Sequence, residues 1–271
     1  MWRTSNVAAK ARLGLVPTMG ALHAGHLSLV ERALRECREV VVSIFVNPTQ
    51  FGKGEDFGKY PRQLAADKAL LRKAGPLRVF APSVGDVYPD GFASSIRVGG
   101  SLGSVLEAEF RPGHFDGVAT VVARLFGLLK PDKAYFGLKD FQQLAVIKRM
   151  TADFALPVKI VECPTLRAKD GLALSSRNAY LSREERAKAP ALWLALHAAA
   201  DALAAGAAPA KAEAAGRASL VKAGGFKLQY LRVADAATLL PPTKKSVRLV
   251  IAAAAHLGKT RLIDNLVMTR A

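Results

Sequence analysis

The chain has 271 residues, of which 51% are hydrophobic and 23% are charged, an ordinary globular composition that excludes disordered and fibrous proteins. This length is sufficient for one large domain or two modest ones, each with a buried core. The net charge of +17 is extreme, but the basic excess is present in both halves, without a run of four consecutive Lys or Arg. A basic solvated surface, compatible with anionic small substrates, is therefore favoured over a nucleic-acid partner.

The cysteines and the N-terminus indicate a cytoplasmic protein. Cys37 and Cys163 lie far apart in sequence and outside any zinc-ligand pattern, as is usual in a reducing compartment. Residues 1–14 lack the apolar core of about 7–15 residues that a secretory signal needs. The weakly charged stretch 189–210 contains a histidine and an aspartate, so it predicts a buried or bundle helix rather than a membrane span.

Strand and helix patterns alternate along the first part of the chain. A strand at 12–16 is followed by a glycine-rich turn, a helix with apolar residues at helical spacing, and a buried apolar strand at 39–46, which together form a βαβ unit. The alternation continues with helix 62–74, strand 78–81, helix 117–129, strand 133–136, helix 140–154 and strand 158–162. This order predicts an α/β fold with a doubly wound parallel sheet, and we assign it to a first domain at residues 1–163.

The pattern changes after Cys163. Ser182 and Glu185 have the spacing of a capping box and are expected to open a long alanine-rich helix. The elements expected after it are a helix near 210–223 and apolar runs at 228–233, 247–255 and 261–267. We assign residues 164–271 to a smaller α+β domain.

Two histidines stand at the end of the first predicted strand. Ligands bind at the carboxyl ends of strands in a doubly wound sheet, and His23 and His26 fall there, on one face of a first helical turn. Free backbone N–H groups and the positive end of the helix dipole make such a turn suitable for a triphosphate. Gly20 and Gly25 permit close backbone approach. Taken alone, such a pair is more often a surface coincidence or half of a metal site, but no third ligand at zinc spacing is near.

Seven motifs occur in a characteristic order. They are VPTMGALHAGH at 16–26, SIFVNPTQF at 43–51, YPR at 60–62, RPGHF at 111–115, FGLKDFQQ at 136–143, KDGLALSSRN at 169–178 and LIDN at 262–265. Together they resemble the pantoate–β-alanine ligase family of the HIGH nucleotidyltransferase superfamily over most of the chain. The resemblance implies a Rossmann-like first domain, a homodimer, and ATP-dependent condensation of pantoate with β-alanine through pantoyl adenylate, with release of AMP and pyrophosphate.

The resemblance assigns the ATP phosphates to three side chains. His23, His26 and Lys139 would bind them, with His26 as proton donor when pyrophosphate leaves. Asp140 would hold the ribose or a network linked to Mg²⁺. Without the family, Lys139 could be a solvated surface lysine and Asp140 could be a helix N-cap.

A serine-rich loop would close over the nucleotide. By resemblance, Ser175, Ser176 and Arg177 form the mobile loop with which the second domain covers the β and γ phosphates, since hydroxyls and an arginine supply donors. Read without the family, these three residues are only a polar loop. The other ATP contacts that the resemblance implies are Met19, Gly20, Gly137, Leu166 and Leu174.

Amide side chains would bind the small substrates. The resemblance places Gln50 and Gln143 on pantoate, with Asn47 also in the pantoate and β-alanine site, because an amide offers both a donor and an acceptor. Mg²⁺ would accompany ATP, and Asp67 is a weak candidate for its network.

The chain departs from the family pattern in four places. It begins close to the first strand, where the family usually has a further helix. Ala108 replaces a glycine, and would strain the loop if that position requires a positive φ. Leu138 replaces a Glu or Gln, and Arg78 replaces an Asp, so local hydrogen bonds are expected to differ.

Two other function classes are kept as alternatives. A nucleotidyltransferase acting on a phosphorylated acceptor would leave a nucleotidylated product and no free AMP. A basic RNA-binding module would lose affinity steeply with salt, although the basic clusters lack the interleaved aromatic residues of such modules.

Overall fold

A five-stranded parallel sheet forms the first half of the molecule. The structure is a computed structural model that describes residues 11–52 and 54–270, so the expectations for the first ten residues lie outside it. The strands lie in the order β3-β2-β1-β4-β5. They are β1 (Ala11–Thr18), β2 (Cys37–Ile44), β3 (Arg78–Phe80), β4 (Lys133–Gly137) and β5 (Lys159–Cys163).

Helices cover both faces of this sheet, which confirms the doubly wound fold. One face carries α1 (Ala24–Glu36) and α2 (Leu64–Ala74), and the other carries α5 (His114–Leu129) and α6 (Phe141–Asp153). Two short helices, α3 (Val84–Val87) and α4 (Glu107–Phe110), lie between α2 and α5 in the chain. Side chains alternate between the two layers: Leu15 and Val41 pack with α5 and α6, whereas Val16 and Val42 pack with α1 and α2. Helices α3 and α4 were not predicted, since four residues are too few to show a helical period.

An antiparallel sheet and three helices form the second half. The helices are α7 (Arg183–Lys188), α8 (Ala191–Ala204) and α9 (Pro209–Ala223), and the strands, in sheet order, are β6 (Phe226–Asp235), β7 (Arg248–Leu257) and β8 (Thr260–Thr269). Alternate residues of β7 face opposite ways: Leu249 and Ile251 pack under the helices, whereas Val250 and Ala252 pack towards Leu106 of the first half. The sheet therefore has one face for its own core and one for the first half of the molecule.

The expected long alanine-rich helix is wrong, because it is broken between α7 and α8. Pro190 stands at the break and has no N–H with which to continue the hydrogen-bond ladder. The predicted capping box is present: the Ser182 hydroxyl accepts from the Glu185 N–H at 3.1 Å, and the Glu185 carboxylate accepts from the Ser182 N–H at 2.8 Å. Within the described ranges, no helix has the length and apolar character to span a membrane.

The departures from the family pattern have local explanations. Ala108 lies inside α4 with ordinary helical geometry, so the expected strain there is wrong; the positive φ, 54°, belongs to Leu106 at the start of this helix. Leu138 packs against the core of the first domain, and Arg78 forms an exposed ion pair with Glu39 at 2.9 Å.

A buried polar contact joins helix α4 to the second sheet. The Glu107 carboxylate on α4 accepts hydrogen bonds from both Arg261 terminal nitrogens, each at 2.7 Å, and from the Tyr230 hydroxyl at 2.6 Å. Burial alone would raise the pKa of Glu107, but the Arg261 guanidinium outweighs burial and lowers it. The paired, hydrogen-bonded charge can therefore be buried, and it fixes α4 against the second sheet.

A matched pair of glycine substitutions tests the packing of α9. In Gly216→Ala the new methyl would lie 2.7 Å from Leu231 and 2.8 Å from the Ala195 carbonyl oxygen, so we expect unfolding free energy to fall by about 1–3 kcal/mol. Gly127→Ala on the exposed side of α5 meets no neighbour and should raise it by about 0.5–1 kcal/mol. Urea unfolding measures both; equal shifts for the two variants would contradict close packing of α9.

Candidate active site

The turn between β1 and α1 is held open by a buried carboxylate. Gly20 and Ala21 both have positive φ, 84° and 49°, which directs the following N–H groups away from the sheet. The Asp67 carboxylate on α2 accepts from the N–H groups of Ala21 at 3.0 Å and Leu22 at 2.8 Å. Because Asp67 satisfies these amides, the chain can leave the strand and begin α1 directly at the edge of the sheet.

His23 and His26 cap the start of α1. His23 is the N-cap residue and its Nδ1 accepts from the Gly25 N–H at 3.1 Å, while His26 Nδ1 accepts from the His23 N–H at 3.3 Å. This reciprocal arrangement is a capping box built from two imidazoles. An Nδ1 that accepts carries no proton, so in each neutral ring the proton is on Nε2. Both residues line the cleft and offer it an Nε2–H donor.

Both imidazoles are neutral in this structure at pH 7. Burial and the Lys139 ammonium lower the pKa of His23 to about 4. Burial, followed by His23 and Lys139, lowers the pKa of His26 to about 3. The rings therefore serve as hydrogen-bond donors without adding positive charge of their own.

The end of β4 supplies the lysine. Lys139 lies in a turn between β4 and α6, and its side chain is 18% exposed. Asn265 on β8 donates to the carbonyl oxygens of Leu138 at 2.9 Å and Lys139 at 2.8 Å, so the second sheet fixes this turn. Asp140 occupies the N-cap position of α6, as the helix-cap alternative expects, but its carboxylate makes no capping hydrogen bond.

The serine-rich loop reaches the same cleft from the second half of the molecule. The Ser175 hydroxyl accepts from the Arg177 N–H at 3.3 Å, and the Ser176 and Tyr60 hydroxyls lie 3.1 Å apart. The Arg177 guanidinium forms two hydrogen bonds with the Asp56 carboxylate, at 2.8 and 3.0 Å. Burial would raise the pKa of Asp56, but the pair with Arg177 lowers it. An anion at Arg177 would therefore have to compete with Asp56.

A hydrogen-bond network orients Gln50. Asn47 is 1% exposed, and its Oδ1 accepts from the Tyr88 hydroxyl at 2.8 Å and from Thr49. Its Nδ2 donates to Gln50 Oε1 at 3.1 Å and to the Gly117 carbonyl oxygen at 3.2 Å. Gln50 therefore has its Nε2 donor towards Met19 and the cleft. The polar atoms of Asn47 are therefore engaged within the protein, and Asn47 orients Gln50 from the wall of the cleft.

The two adjacent glutamines of α6 have different environments. Gln142 is buried and saturated, accepting from the Glu107 N–H and donating to the carbonyl oxygens of Leu102 and Val105. Gln143 is partly exposed, lines the cleft, and forms no side-chain hydrogen bond with another described residue. Gln143 is therefore the member of the pair that is available to a ligand.

Most of the predicted site residues line one cavity of about 220 Å³. Besides the side chains described above, its walls contain Met19, Val121, Val122, Gly137, Leu166 and Leu174. A second cavity of about 310 Å³ opens beside it between the two sheets and shares Lys139, Asp140, Gln143, Ser175 and Arg177. Gly20 lies outside these walls and shapes the turn instead.

Asp67 does not fit the predicted role in a metal network. It is 1% exposed, is absent from the cavity walls, and both carboxylate oxygens accept backbone N–H groups. Over residues 11–52 and 54–270, no cluster of three His, Cys, Asp or Glu side chains could hold a metal ion. Its structural role at the turn was missed because its partners lie more than 40 residues away in sequence.

Other contacts of the site were also missed. The sequence motifs contain Tyr60 and Asn265, but give no partner for either. Asp56 carried no signal, because its contact with Arg177 spans 121 residues. Arg167 and Asp264, which pair at 2.5 Å beside the serine-rich loop, were missed for the same reason.

Comparisons with known proteins agree with the fold and identify a family. The pantoate-beta-alanine ligase family model matches residues 1–267. A curated pantothenate synthetase from Acidiphilium cryptum is 56% identical over 256 residues, covering 94% of this chain and 91% of the relative. A crystal structure of pantothenate synthetase from Thermus thermophilus superposes with a TM-score of 0.91 at 52% identity, covering 94% of this chain and 92% of that one. A Francisella tularensis pantoate-beta-alanine ligase, complexed with beta-gamma ATP and beta-alanine, gives 0.77 at 38% identity, with coverage of 96% and 92%.

A doubly wound sheet with a histidine-bearing turn at its carboxyl edge defines a nucleotide-binding α/β enzyme. Within that class, the chain belongs to the pantoate–β-alanine ligase family. The reaction of this family is the ATP-dependent joining of pantoate to β-alanine. The family assignment replaces the two alternatives, a nucleotidyltransferase for phosphorylated acceptors and an RNA-binding module.

Asp67→Asn separates the structural role of this carboxylate from a metal role. Loss of charge-assisted hydrogen bonds to the turn should lower unfolding free energy by about 1.5–3 kcal/mol, measured by urea unfolding. The Mg²⁺ concentration that gives half-maximal activity should not change. Asp90→Asn, at an exposed position, is the control and should be near neutral. A selective increase in the Mg²⁺ requirement of Asp67→Asn would restore the metal assignment.

Proposed function

We propose that the cleft carries out the family's reaction in two steps. A carboxylate oxygen of pantoate attacks the α-phosphorus of ATP, and the bond to the oxygen that bridges the α- and β-phosphorus breaks as pyrophosphate leaves. The β-alanine amine then attacks the acyl carbon of the adenylate, the bond to the AMP oxygen breaks, and the nitrogen loses a proton as the amide forms. The convergence of two neutral imidazoles, Lys139 and an available Gln143 on one cleft carries this proposal.

In the first step, the start of α1 and the end of β4 would bind the phosphates. His23 and His26 would each donate an Nε2–H, and Lys139 would supply the positive charge that stabilises the departing pyrophosphate. The low pKa of His26 favours hydrogen-bond donation over full proton transfer. A bound polyphosphate would raise that pKa, since a nearby negative charge favours the protonated ring.

The serine-rich loop would donate hydrogen bonds to the pyrophosphate as it leaves. Ser175 and Ser176 provide hydroxyl donors, and Arg177 provides a fork of N–H groups once a phosphate replaces Asp56. Because Asp56 must be displaced, Arg177 would hold a highly charged polyphosphate better than a singly charged anion. Met19, Gly137, Leu166 and Leu174 would form the remaining nucleotide contacts, whereas Gly20 would act only by shaping the turn.

Pantoate would bind between the two amide side chains. Gln50 offers Nε2 donors because Asn47 occupies its Oε1, and Gln143 offers both kinds of group. Val121 and Val122 form an apolar wall beside them, which suits a branched hydroxy acid. β-Alanine would enter after the adenylate forms, next to the same amides.

The adenylate must be protected from water, because hydrolysis would waste it. We assign this protection to the second domain, residues 164–271, which contributes the serine-rich loop and packs against residues 1–163. The contacts of Asn265 with the turn at Lys139 support this role, since they tie the second domain to the phosphate site.

Mg²⁺ would accompany ATP. This ion usually keeps several waters and binds through one or two carboxylates together with substrate phosphates, rather than in an all-protein cage. Asp140 fits such a role because its side chain is 45% exposed at the cleft and free of helix capping; it could equally hold ribose hydroxyls. Bound Mg²⁺ would neutralise phosphate charge during transfer.

We keep a cytoplasmic homodimer as part of the proposal. Both cysteines, Cys37 and Cys163, are buried free thiols, which agrees with a reducing compartment. The dimer rests on the family resemblance, and sedimentation of the purified protein tests it.

The overall proposal is tested by isotope exchange between pyrophosphate and ATP. Exchange should require pantoate and Mg²⁺ and should not require β-alanine, because only the first step is reversed. Once β-alanine is added, AMP should be released at a steady rate. Exchange in the absence of pantoate, or AMP release from β-alanine alone, would contradict the two-step order.

Lys139→Ala should reduce the exchange rate by about 10²–10³-fold, as expected for a lost charge-stabilising donor. Lys139→Arg keeps the charge and should retain part of the activity. Single-turnover pyrophosphate release measures both variants. A full-rate Lys139→Ala enzyme would remove this residue from the mechanism.

Asp56→Asn should strengthen product inhibition by pyrophosphate about fivefold to tenfold, because Arg177 loses its charged competitor. Asp153→Asn breaks a surface pair with Arg149 and is the matched control. Inhibition constants for pyrophosphate measure the difference. An unchanged constant in Asp56→Asn would show that Arg177 does not contact this product.

A further inference from the structure

The RPGHF motif at residues 111–115 has no role in the two-step scheme, although two of its side chains lie beside the site. Arg111 and His114 stand at the start of α5, and His114 is 8% exposed. Gly113 precedes it with a φ of 77°, a left-handed conformation that lets α5 begin at His114. The motif therefore places a buried imidazole at a helix start close to Gln50.

The contacts of His114 determine which nitrogen carries its proton. Nε2 lies 2.9 Å from the Arg111 Nη1, and because a guanidinium can only donate, Nε2 must accept. Nδ1 lies 2.7 Å from the Gln50 carbonyl oxygen, which can only accept, so Nδ1 carries the proton and donates. Burial, and then the Arg111 charge, lower the pKa of His114 to about 4, so the ring is neutral at pH 7.

The chain of hydrogen bonds continues beyond Arg111. The Glu55 carboxylate accepts from Arg111 Nε at 2.7 Å and from Nη2 at 2.6 Å. Glu55 belongs to the same loop as Asp56, whose carboxylate holds Arg177. The loop that contacts the serine-rich segment is thus connected, through Arg111 and His114, to the backbone of Gln50.

The turn that contains Gln50 also packs directly against the backbone of α5. A Cβ on Gly117 would lie 2.3 Å from the Thr49 carbonyl oxygen, so the turn at 48–50 touches the α5 backbone directly. Asn47 donates to the Gly117 carbonyl oxygen one helical turn beyond His114. These contacts hold the turn, and the hydrogen bond from His114 sets the position of Gln50 within it.

We propose that His114 is a positioning residue for the pantoate site: its Nδ1–H fixes the backbone of Gln50, and its Nε2, through Arg111 and Glu55, ties that site to the loop at 54–58. The inference rests on the proposed role of Gln50 in binding pantoate. His114 itself touches no reacting atom in this scheme. Its loss should weaken pantoate binding and leave ATP binding, which involves other residues, unchanged.

Three substitutions separate the two hydrogen bonds of His114. In His114→Asn, the side-chain amide places an N–H donor near the position of Nδ1 and keeps the hydrogen bond to Gln50. In His114→Gln, the longer side chain places its terminal amide near the position of Nε2 and can keep only the hydrogen bond to Arg111. Phe keeps neither. In pantoate-dependent ATP–pyrophosphate exchange, we expect His114→Phe and His114→Gln to raise the pantoate KM about tenfold, with the ATP KM within about twofold. His114→Asn should remain within about threefold of wild type for both substrates.

Thermal unfolding of each variant reports whether the fold is kept. The control is His197→Phe, which alters a histidine packed on Trp193 in the second domain. If His114→Phe does not fold, the comparison of His114→Asn with His114→Gln tests the positioning role. Equal impairment of these two, or parallel rises in the KM values for pantoate and ATP, would overturn the positioning role. Absence of pantoate-dependent exchange in the wild-type protein would instead remove the proposed function, and the positioning role with it.

Discussion

The adjacent carboxyl ends of β1 and β4 constrain the rest of the site. These parallel strands are neighbours in the sheet, but the helices that follow them, α1 and α6, pack on opposite faces. A gap therefore opens between the two helix starts, where backbone N–H groups and helix dipoles favour anions. The two histidines follow β1 and Lys139 follows β4, so all three lie at this gap. The same burial and proximity to Lys139 that make the gap suitable for phosphate keep both imidazoles neutral.

Buried and half-buried carboxylates organise the basic side chains around the gap. In a chain with a net charge of +17, Glu55, Asp56, Glu107 and Asp264 hold Arg111, Arg177, Arg261 and Arg167 respectively. Each pair fixes a planar guanidinium in one orientation, and the pairs of Arg177 and Arg261 also join the two halves of the molecule. The arginines nearest the cleft are oriented by specific partners, and a polyphosphate is the kind of anion that can compete for one of them.

Apolar periodicity predicted the sheet, and the motifs that resemble the ligase family predicted most of the cavity walls, because both are local signals in the sequence. The sequence did not predict contacts between residues far apart in the chain. Asp67 was assigned to a metal network, since nothing nearby in sequence shows that its oxygens hold the turn at Ala21 and Leu22. Asn47 was assigned to the substrate, whereas its atoms are engaged by Gln50, Gly117, Thr49 and Tyr88. The break at Pro190 had a local signal, which the alanine-rich composition on both sides obscured.

In the proposed reaction the cleft activates pantoate as an acyl adenylate, and neither an acyl phosphate nor an acyl-enzyme forms. Transfer of ¹⁸O from carboxyl-labelled pantoate tests it most directly, because the carboxylate oxygen that attacks the α-phosphorus must leave with AMP. When both carboxyl oxygens of pantoate are labelled, we expect one ¹⁸O atom in each AMP released after β-alanine is added, and none in pyrophosphate. Label in inorganic phosphate, or AMP without label, would contradict it.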